Sequence, residues 1–311
     1  MNNFLLKCAQ SVEHGRIIVI HGPTGAGKTE CADKLADVFP IEIINMDMGQ
    51  LYTPLTIGTA KPNWRDSPVP QHLFDLFDSP ENGSAYSYTM HATEKINEIL
   101  GRNHVPVLVG GSSFYLKSLL YTPTYTMNCQ VDLSFYYDDA DCHTWWKRLY
   151  DIDRERAKSI YPHDLYRIKR ALVLWYSTDT KPSLLKPTFS PPGAMDIFFI
   201  TRNNEDLYNR INKRVDHMIA AGWIDEVANL QNTDWEQFLR VKKIIGYVDI
   251  LDYLASHTTK SQAISNIAQK TRHYAKRQKI FWKMLERTIA VAAERTSMLN
   301  EIVTYSTFNL T

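Results

Sequence analysis

Short apolar runs bounded by turn residues alternate with stretches of helical spacing through the first 120 residues. Ile17-Ile18-Val19-Ile20 is a β-branched run of strand length. Residues 30–39 follow with Leu35, Ala36 and Phe39 at helical spacing. Residues 41–46 form a second apolar run ending at Asp47, and residues 105–109 a third, closed by Gly110-Gly111. Between these two, residues 85–100 place Ile96, Ile99 and Leu100 on one face of a helix. Strand–helix–strand alternation of this kind predicts a parallel sheet with helices on both faces. From Tyr121 to about Pro192 the pattern changes to Tyr, Trp, Asp and Pro with helical pieces and no clear strand. Ile197-Phe198-Phe199-Ile200 restores the strand pattern, and helix after helix is predicted beyond it. Leu207, Ile211, Val215, Met218 and Ile219 form one such apolar face, stopped by Gly222.

The predicted organisation is a core of residues 1–120 and 193–311 interrupted by a helical insertion domain, residues 121–192. At 311 residues the chain has room for that arrangement, and its 44% hydrophobic content is ordinary for a globular protein. A net charge of +1 points to no partner by itself, so any nucleic-acid surface must come from local clustering. No run approaches the roughly 18 apolar residues of a membrane span. The first 15 residues lack a secretory pattern, and Glu13 argues against a transit peptide. Four cysteines, Cys8, Cys31, Cys129 and Cys142, show no paired spacing. Reduced thiols in a cytoplasm are expected.

Gly22-Pro23-Thr24-Gly25-Ala26-Gly27-Lys28-Thr29 fits the phosphate-cradling pattern G-x-x-x-x-G-K-[ST], with a strand before it and a helix after it. Loop N–H groups and the positive helix end converge on phosphate oxygens there, Lys28 adds charge, and Thr29 is placed to hold Mg²⁺. Lys28, Asp47 and Gly110 all fall just past strand ends, where ligands of parallel sheets bind. Asp47 has three readings: a metal ligand through water, a base, or a turn aspartate capping residues 48–50. The stretch Ile57-Gly58-Thr59-Ala60-Lys61-Pro62 reads as a loop presenting a lysine. Residues 264–287 carry Lys270, Arg272, His273, Lys276, Arg277, Lys279, Lys283 and Arg287 against the single acid Glu286, with Ile267, Tyr274, Phe281, Trp282 and Leu285 interleaved. Such a basic helix is either a phosphate-backbone footprint or a solvated face. Arg167-Ile168-Lys169-Arg170 makes a second basic patch. His72, His91, His143 and His163 lack ligand spacing, and no G-x-S-x-G elbow is present.

Read together, these motifs resemble the tRNA dimethylallyltransferase family. The loop from Gly22 to Thr29 is similar to its first block. Asp47-Met48-Gly49-Gln50-Leu51-Tyr52 with the loop 57–62 is similar to its second, and Gln71-His72-Leu73-Phe74-Asp75 to its third. Val109-Gly110-Gly111-Ser112-Ser113-Phe114-Tyr115 resembles the V-G-G-T-x-x-Y block with Ser112 in place of Thr. Residues 167–172, 245–247 and 271–278 resemble its later signatures. The blocks run in family order from Gly22 to about Trp282.

The resemblance implies an α/β, P-loop NTPase-like parallel sheet flanked by helices, with an insertion domain that contacts tRNA. It implies transfer of a dimethylallyl group from its diphosphate to N6 of the adenosine directly 3′ of the anticodon (adenosine-37). The loop 22–29 with Arg202 would bind the diphosphate, Mg²⁺ would sit at Thr29, and Asp47, Ser112 and Lys28 would be catalytic. Asp47, Met48, Gly49, Gln50, Tyr52, Lys61, Arg167, Arg170, Lys243, Tyr247, Arg272, Lys276 and Arg277 would face the tRNA anticodon stem-loop. A cytoplasmic monomer is expected. The sequence departs from the family at Met48 for Ser, Val173 for Glu, Val248 for Arg and Asn204 for Arg, so Arg202 is expected to stand in for the last. Transfer to free adenine nucleotides, a P-loop small-molecule kinase and a non-catalytic RNA-binding protein are the alternatives.

Overall fold

The computed structural model describes residues 2–81, 83–123, 140–295 and 302–310, with side chains of 291–295 excepted. It divides into two compact units, Met1–Leu120 with Pro191–Thr311, and Tyr121–Ser190. The first unit opens with α1 (Asn2–Glu13), β1 (Ile17–His21), α2 (Lys28–Ala36), β2 (Ile41–Asn45) and β3 (Gln71–His72). It continues through α3 (Ala85–Gly101), β4 (Val105–Gly110) and α4 (Ser113–Leu120). The second unit holds β5 (Tyr121–Thr122), α5 (Cys142–Ile152), α6 (Arg154–Lys158), α7 (Leu165–Thr178) and β6 (Thr188–Phe189). The chain then returns to the first unit with β7 (Met195–Thr201), α8 (Asn204–Ala220), α9 (Trp223–Ala228), α10 (Asp234–Lys242), α11 (Tyr247–Leu254), α12 (Lys260–Arg295) and β8 (Val303–Asn309).

The main sheet has the order β3-β2-β4-β1-β7-β8, and its strand pairs are parallel. Every residue of β1 and β2 is buried. This is why both read as continuous apolar runs rather than as alternation. One face packs Phe4 and Cys8 of α1 with Cys31 and Leu35 of α2 against Ile18, Ile20, Val107 and Phe198. From β1 the chain moves to β2 on one side, while β7 lies on the other. The end of β1 is therefore the point where strand order switches, the usual place for a ligand crevice.

Two elements depart from the sequence expectation. Val303–Asn309 forms an edge strand paired with all of β7, where only helices were expected. Its alternating, half-polar sequence lacks the apolar run of a central strand, because one edge is unpaired. The second unit also contains a short antiparallel pair, Tyr121 with Phe189 and Thr122 with Thr188. Two-residue strands leave no periodic signal. The core of this unit is helical, with Trp145, Leu149, Ala157, Ile168 and Leu172 packed together.

Candidate active site

The site begins where β1 ends. Gly22 lies so close to β7 that a methyl group there would sit 2.1 Å from the Ile200 carbonyl oxygen. Gly27 takes φ 101°, a left-handed conformation suited to glycine, and turns the chain straight into α2. No side chain caps this helix. Its first N–H groups lack intrahelical partners and are left available to an anion. Lys28 folds back over the loop and donates to the Pro23 carbonyl at 3.0 Å. Thr29 is exposed.

Beneath the loop, His21 is fully buried and held neutral, its pKa pushed down to about 3 chiefly by burial. It pairs with the Gly110 carbonyl at 2.9 Å through Nδ1 and with Ser113 Oγ at 2.8 Å through Nε2. A carbonyl only accepts, so Nδ1 carries the proton and Nε2 accepts from the serine hydroxyl. Gln278 of α12 closes the loop from above. Its Oε1 accepts from Thr24 N–H at 3.0 Å, and its Nε2 donates to the Gly111 carbonyl at 2.6 Å. Neither His21 nor Gln278 was identified as a site residue from sequence, since nothing in their spacing shows that α12 reaches back to the loop.

Asp47 follows β2 and is held by an interlock. Its N–H donates to Asn45 Oδ1 at 2.9 Å, while Asn45 Nδ2 donates to the Asp47 carbonyl at 3.2 Å and to the Leu73 carbonyl at 2.9 Å. Asp47 Oδ1 also accepts from Gly49 N–H at 3.3 Å, so the turn-cap reading holds. Capping does not exhaust the carboxylate, because burial pushes it above its ordinary value while Lys28, the Gly49 N–H and Arg214 pull it down. Burial likewise lowers Lys28 to about 8, with Asp47 opposing that shift and Arg214 adding to it. Lys28, Asp47 and Arg214 thus form one electrostatic cluster. Ser112 joins it at the start of α4, where its N–H donates to the Met46 carbonyl at 3.3 Å.

Arg214 is the functional candidate that sequence reasoning missed. It is half-buried and has no hydrogen-bond or ion-pair partner among the described residues; burial lowers its pKa and Asp47 opposes the change. One turn earlier Arg210 donates to the Gly25 carbonyl at 3.0 Å. Two arginines at i,i+4 repel each other. That spacing, beside a predicted anion loop, was the available signal.

Several expected positions have protein partners. Arg202, expected on the diphosphate, braces the loop and the C-terminus. It donates to the Ala26 carbonyl at 3.0 Å, Asp206 at 2.9 Å and the Leu310 carbonyl at 3.3 Å. Lys61, expected at an RNA surface, is buried against Asp75 and donates to the Tyr52 carbonyl at 2.8 Å. Tyr52 is itself buried, with its hydroxyl on the Glu81 carbonyl at 3.1 Å. The Gln50 amide is half-buried and holds the carbonyls of Thr59 and Ala60. Tyr247 is wholly buried and donates to Glu226 at 2.7 Å. The same Glu226 carboxylate accepts the N–H groups of Thr56, Ile57 and Gly58, which shapes the loop 57–62. Gly58 and Gly246 both press on the Trp223 indole, where a methyl group would come within 2.1 and 2.0 Å. These motif residues build a core (Tyr52, Trp223, Tyr247 and Leu251 among them) rather than a surface. Gly49 is buried and Met48 half-buried.

The remaining expected contacts are exposed or half-exposed. Lys276 and Arg277 project from α12, Arg272 reaches Asn212 at 2.7 Å, and Lys243 ends α10. In the second unit Arg167 and Arg170 are exposed on α7, with Arg167 3.3 Å from Asp164.

A family model described as IPP transferase matches residues 50–284. The chain belongs to the IPP transferase family. Among the similar relatives of this IPP transferase is the tRNA dimethylallyltransferase of Petrotoga mobilis, 35% identical over 291 residues, covering 91% of this chain and 95% of the relative. That of Thermotoga maritima is 32% identical and covers 88% of this chain and 91% of its own. The tRNA isopentenylpyrophosphate transferase of Bacillus halodurans has the same fold at a TM-score of 0.61 and 27% identity, over 95% of this chain and 90% of that one. A eukaryotic dimethylallyltransferase described as acting on tRNA aligns at a TM-score of 0.70 and 28% identity, over 85% and 68% of the two chains. The loop 22–29 and Asp47 precede the matched family segment, so their place in the site rests on the geometry above.

Proposed function

We propose that this IPP transferase moves the dimethylallyl group of dimethylallyl diphosphate to N6 of the tRNA adenosine directly 3′ of the anticodon, adenosine-37. The observation that carries this reading is the placement of Asp47 beside Lys28 and Arg214. Asp47, Lys28 and Arg214 lie close enough to perturb one another's ionisation, which brings a proton-accepting carboxylate and two cations for a leaving diphosphate to one end of the sheet.

The chemistry follows from that arrangement. The loop N–H groups, Lys28 and Arg214 bind the diphosphate and stabilise the charge it gains as the allylic C–O bond breaks. The N6 amine forms the new C–N bond, and Asp47 orients it and accepts its proton. Ser112, beside Asp47, positions the same end of the crevice. The target base must leave the anticodon-loop stack to reach Asp47. Arg272, Lys276 and Arg277 of α12, Lys243, and Arg167 and Arg170 of the insertion domain supply phosphate-binding charge for the stem-loop.

Among the described residues no three His, Cys, Asp or Glu side chains cluster to hold a metal. The single Thr29 hydroxyl suits Mg²⁺, a hard ion that keeps several waters and takes substrate phosphate oxygens as ligands. There it would help neutralise the leaving group. No described helix is long and apolar enough to cross a membrane. A cytoplasmic site of action suits a tRNA substrate.

The test is to incubate the protein with Mg²⁺, labelled dimethylallyl diphosphate and unmodified tRNA, with AMP and ATP as parallel acceptors. Label in tRNA at the expected adenosine is the predicted result. Label in nucleotides alone would move the activity to free adenine nucleotides, and label in none would refute the transferase reading.

A further inference from the structure

Two side chains expected to face the tRNA beside Asp47 are engaged elsewhere: the Tyr52 hydroxyl on Glu81 and the Gln50 amide on Thr59 and Ala60. On α4, a second buried polar group has no partner among the described residues. Tyr115 of α4 is 3% exposed, and its hydroxyl is buried with no hydrogen-bond partner. Its ring stacks on Tyr88 at 4.1 Å and 9°. The Tyr88 hydroxyl donates to the Asn45 carbonyl at 3.1 Å, and Asn45 Oδ1 holds the Asp47 N–H at 2.9 Å. At the head of α4, Ser112 N–H is tied to Met46 at 3.3 Å. The Tyr115 ring is therefore fixed against the backbone segment that presents Asp47. Burial, then the neighbouring Tyr52 and Asp47, hold the phenol above its ordinary pKa, so it remains a donor. A buried hydroxyl left without a partner is destabilising, and phenylalanine would make the same stack without that cost.

We infer that the Tyr115 hydroxyl donates to N1 of the acceptor adenine while Asp47 accepts from N6–H, an inference that rests on the RNA prenyl-transfer reading above. The adenine Watson–Crick edge offers a donor at N6 and an acceptor at N1. Guanine reverses both, with an acceptor at O6 and a donor at N1. An acceptor–donor pair formed by Asp47 and Tyr115 therefore admits adenine and leaves guanine with two opposed contacts. Tyr115 acts here as a specificity-determining residue for the acceptor.

The test compares wild type and Tyr115→Phe on two anticodon stem-loop RNAs, one with adenosine and one with 1-deazaadenosine at the acceptor position. On the adenosine RNA, Tyr115→Phe is expected to lower kcat/KM by about tenfold, the size of one hydrogen bond. Replacing N1 should cost the wild type about tenfold more than it costs the variant, with KM for dimethylallyl diphosphate unchanged in both. The variant keeps the Tyr88 stack, so its melting temperature should match or exceed that of wild type. A variant equal to wild type on adenosine RNA overturns the inference, as does an equal penalty for 1-deazaadenosine in both proteins. A wild type that transfers no label to the adenosine RNA overturns the prenyl-transfer reading as well, a result distinct from either of these.

Discussion

Asp47 and Lys28 perturb each other in opposite senses, and that determines how activity should depend on pH. Burial raises the Asp47 carboxyl, so the base becomes available only above the ordinary carboxylate range. Burial lowers Lys28 to about 8, so the free protein loses this charge as pH rises through that value. The profile of kcat/KM for dimethylallyl diphosphate should therefore fall on its alkaline side near pH 8. Lys28→Arg should move that limb well upward, because a guanidinium stays charged; an unmoved limb would separate it from Lys28. Asp47→Asn keeps the turn cap and the shape of the site but cannot take the N6 proton. It should retain RNA affinity in a binding assay while single-turnover transfer falls by about 10²–10⁴-fold, the usual contribution of a general base. Normal turnover in that variant would remove Asp47 from the proton-transfer role.

Helix α8 shows how one element can serve both fold and ligand. Leu207, Ile211 and Val215 make its buried face. Arg210 and Arg214 lie one turn apart on the side that meets the phosphate loop, and only Arg210 has a protein partner. A half-buried cation without a partner is destabilising until an anion arrives. Inorganic diphosphate should therefore raise the melting temperature of the wild type more than that of Arg214→Gln. The same variant should raise KM for dimethylallyl diphosphate by at least about tenfold, the worth of one charge-assisted hydrogen bond, and leave RNA affinity unchanged. Equal thermal shifts in the two proteins would exclude Arg214 from the anion site. Arg202, four residues before Asp206 and chosen from sequence for this role, braces the loop.

Across the molecule, the candidate site residues gather at the carboxyl ends of the strands, while a compact charged and polar cluster surrounds Glu42 of β2. Glu42 of β2 receives Arg102 at 2.8 Å, His72 at 2.6 Å and His104 at 2.9 Å. Its carboxyl falls from 4.5 to about 2, with the Arg102 hydrogen bond the largest cause. A depressed folded-state value stabilises the protein above the unfolded value of 4.5 and loses that stabilisation as pH falls toward 2. The contribution is about 2 kcal/mol at neutral pH, discounted because Arg102 is half-exposed. Glu42→Gln should lower urea-unfolding stability by about that amount at pH 7 and flatten the acid limb below pH 4.5; an unchanged acid limb would show that other carboxylates control it.

The apolar runs and the glycine–lysine loop, as local patterns, were enough to determine the parallel α/β core and the strand–loop–helix turn at residues 22–29. Burial on both faces forces β1 and β2 to be apolar throughout, and left-handed turns favour glycine at Gly27. Ordered motif blocks likewise carried the family. What local spacing does not carry is which side chain turns inward. Lys61, Tyr52 and Tyr247 look like surface contacts in one dimension, yet Asp75, Glu81 and Glu226 draw them into the interior. Tertiary structure alone decided that Gln278 closes the loop 254 residues before it, that Arg202 has protein partners where Arg214 has none among the described residues, and that the Tyr115 hydroxyl is buried and unpaired. The physical reason is the same in each case: hydrogen bonds and charges are satisfied by neighbours in space, and those neighbours come from segments far apart in the chain.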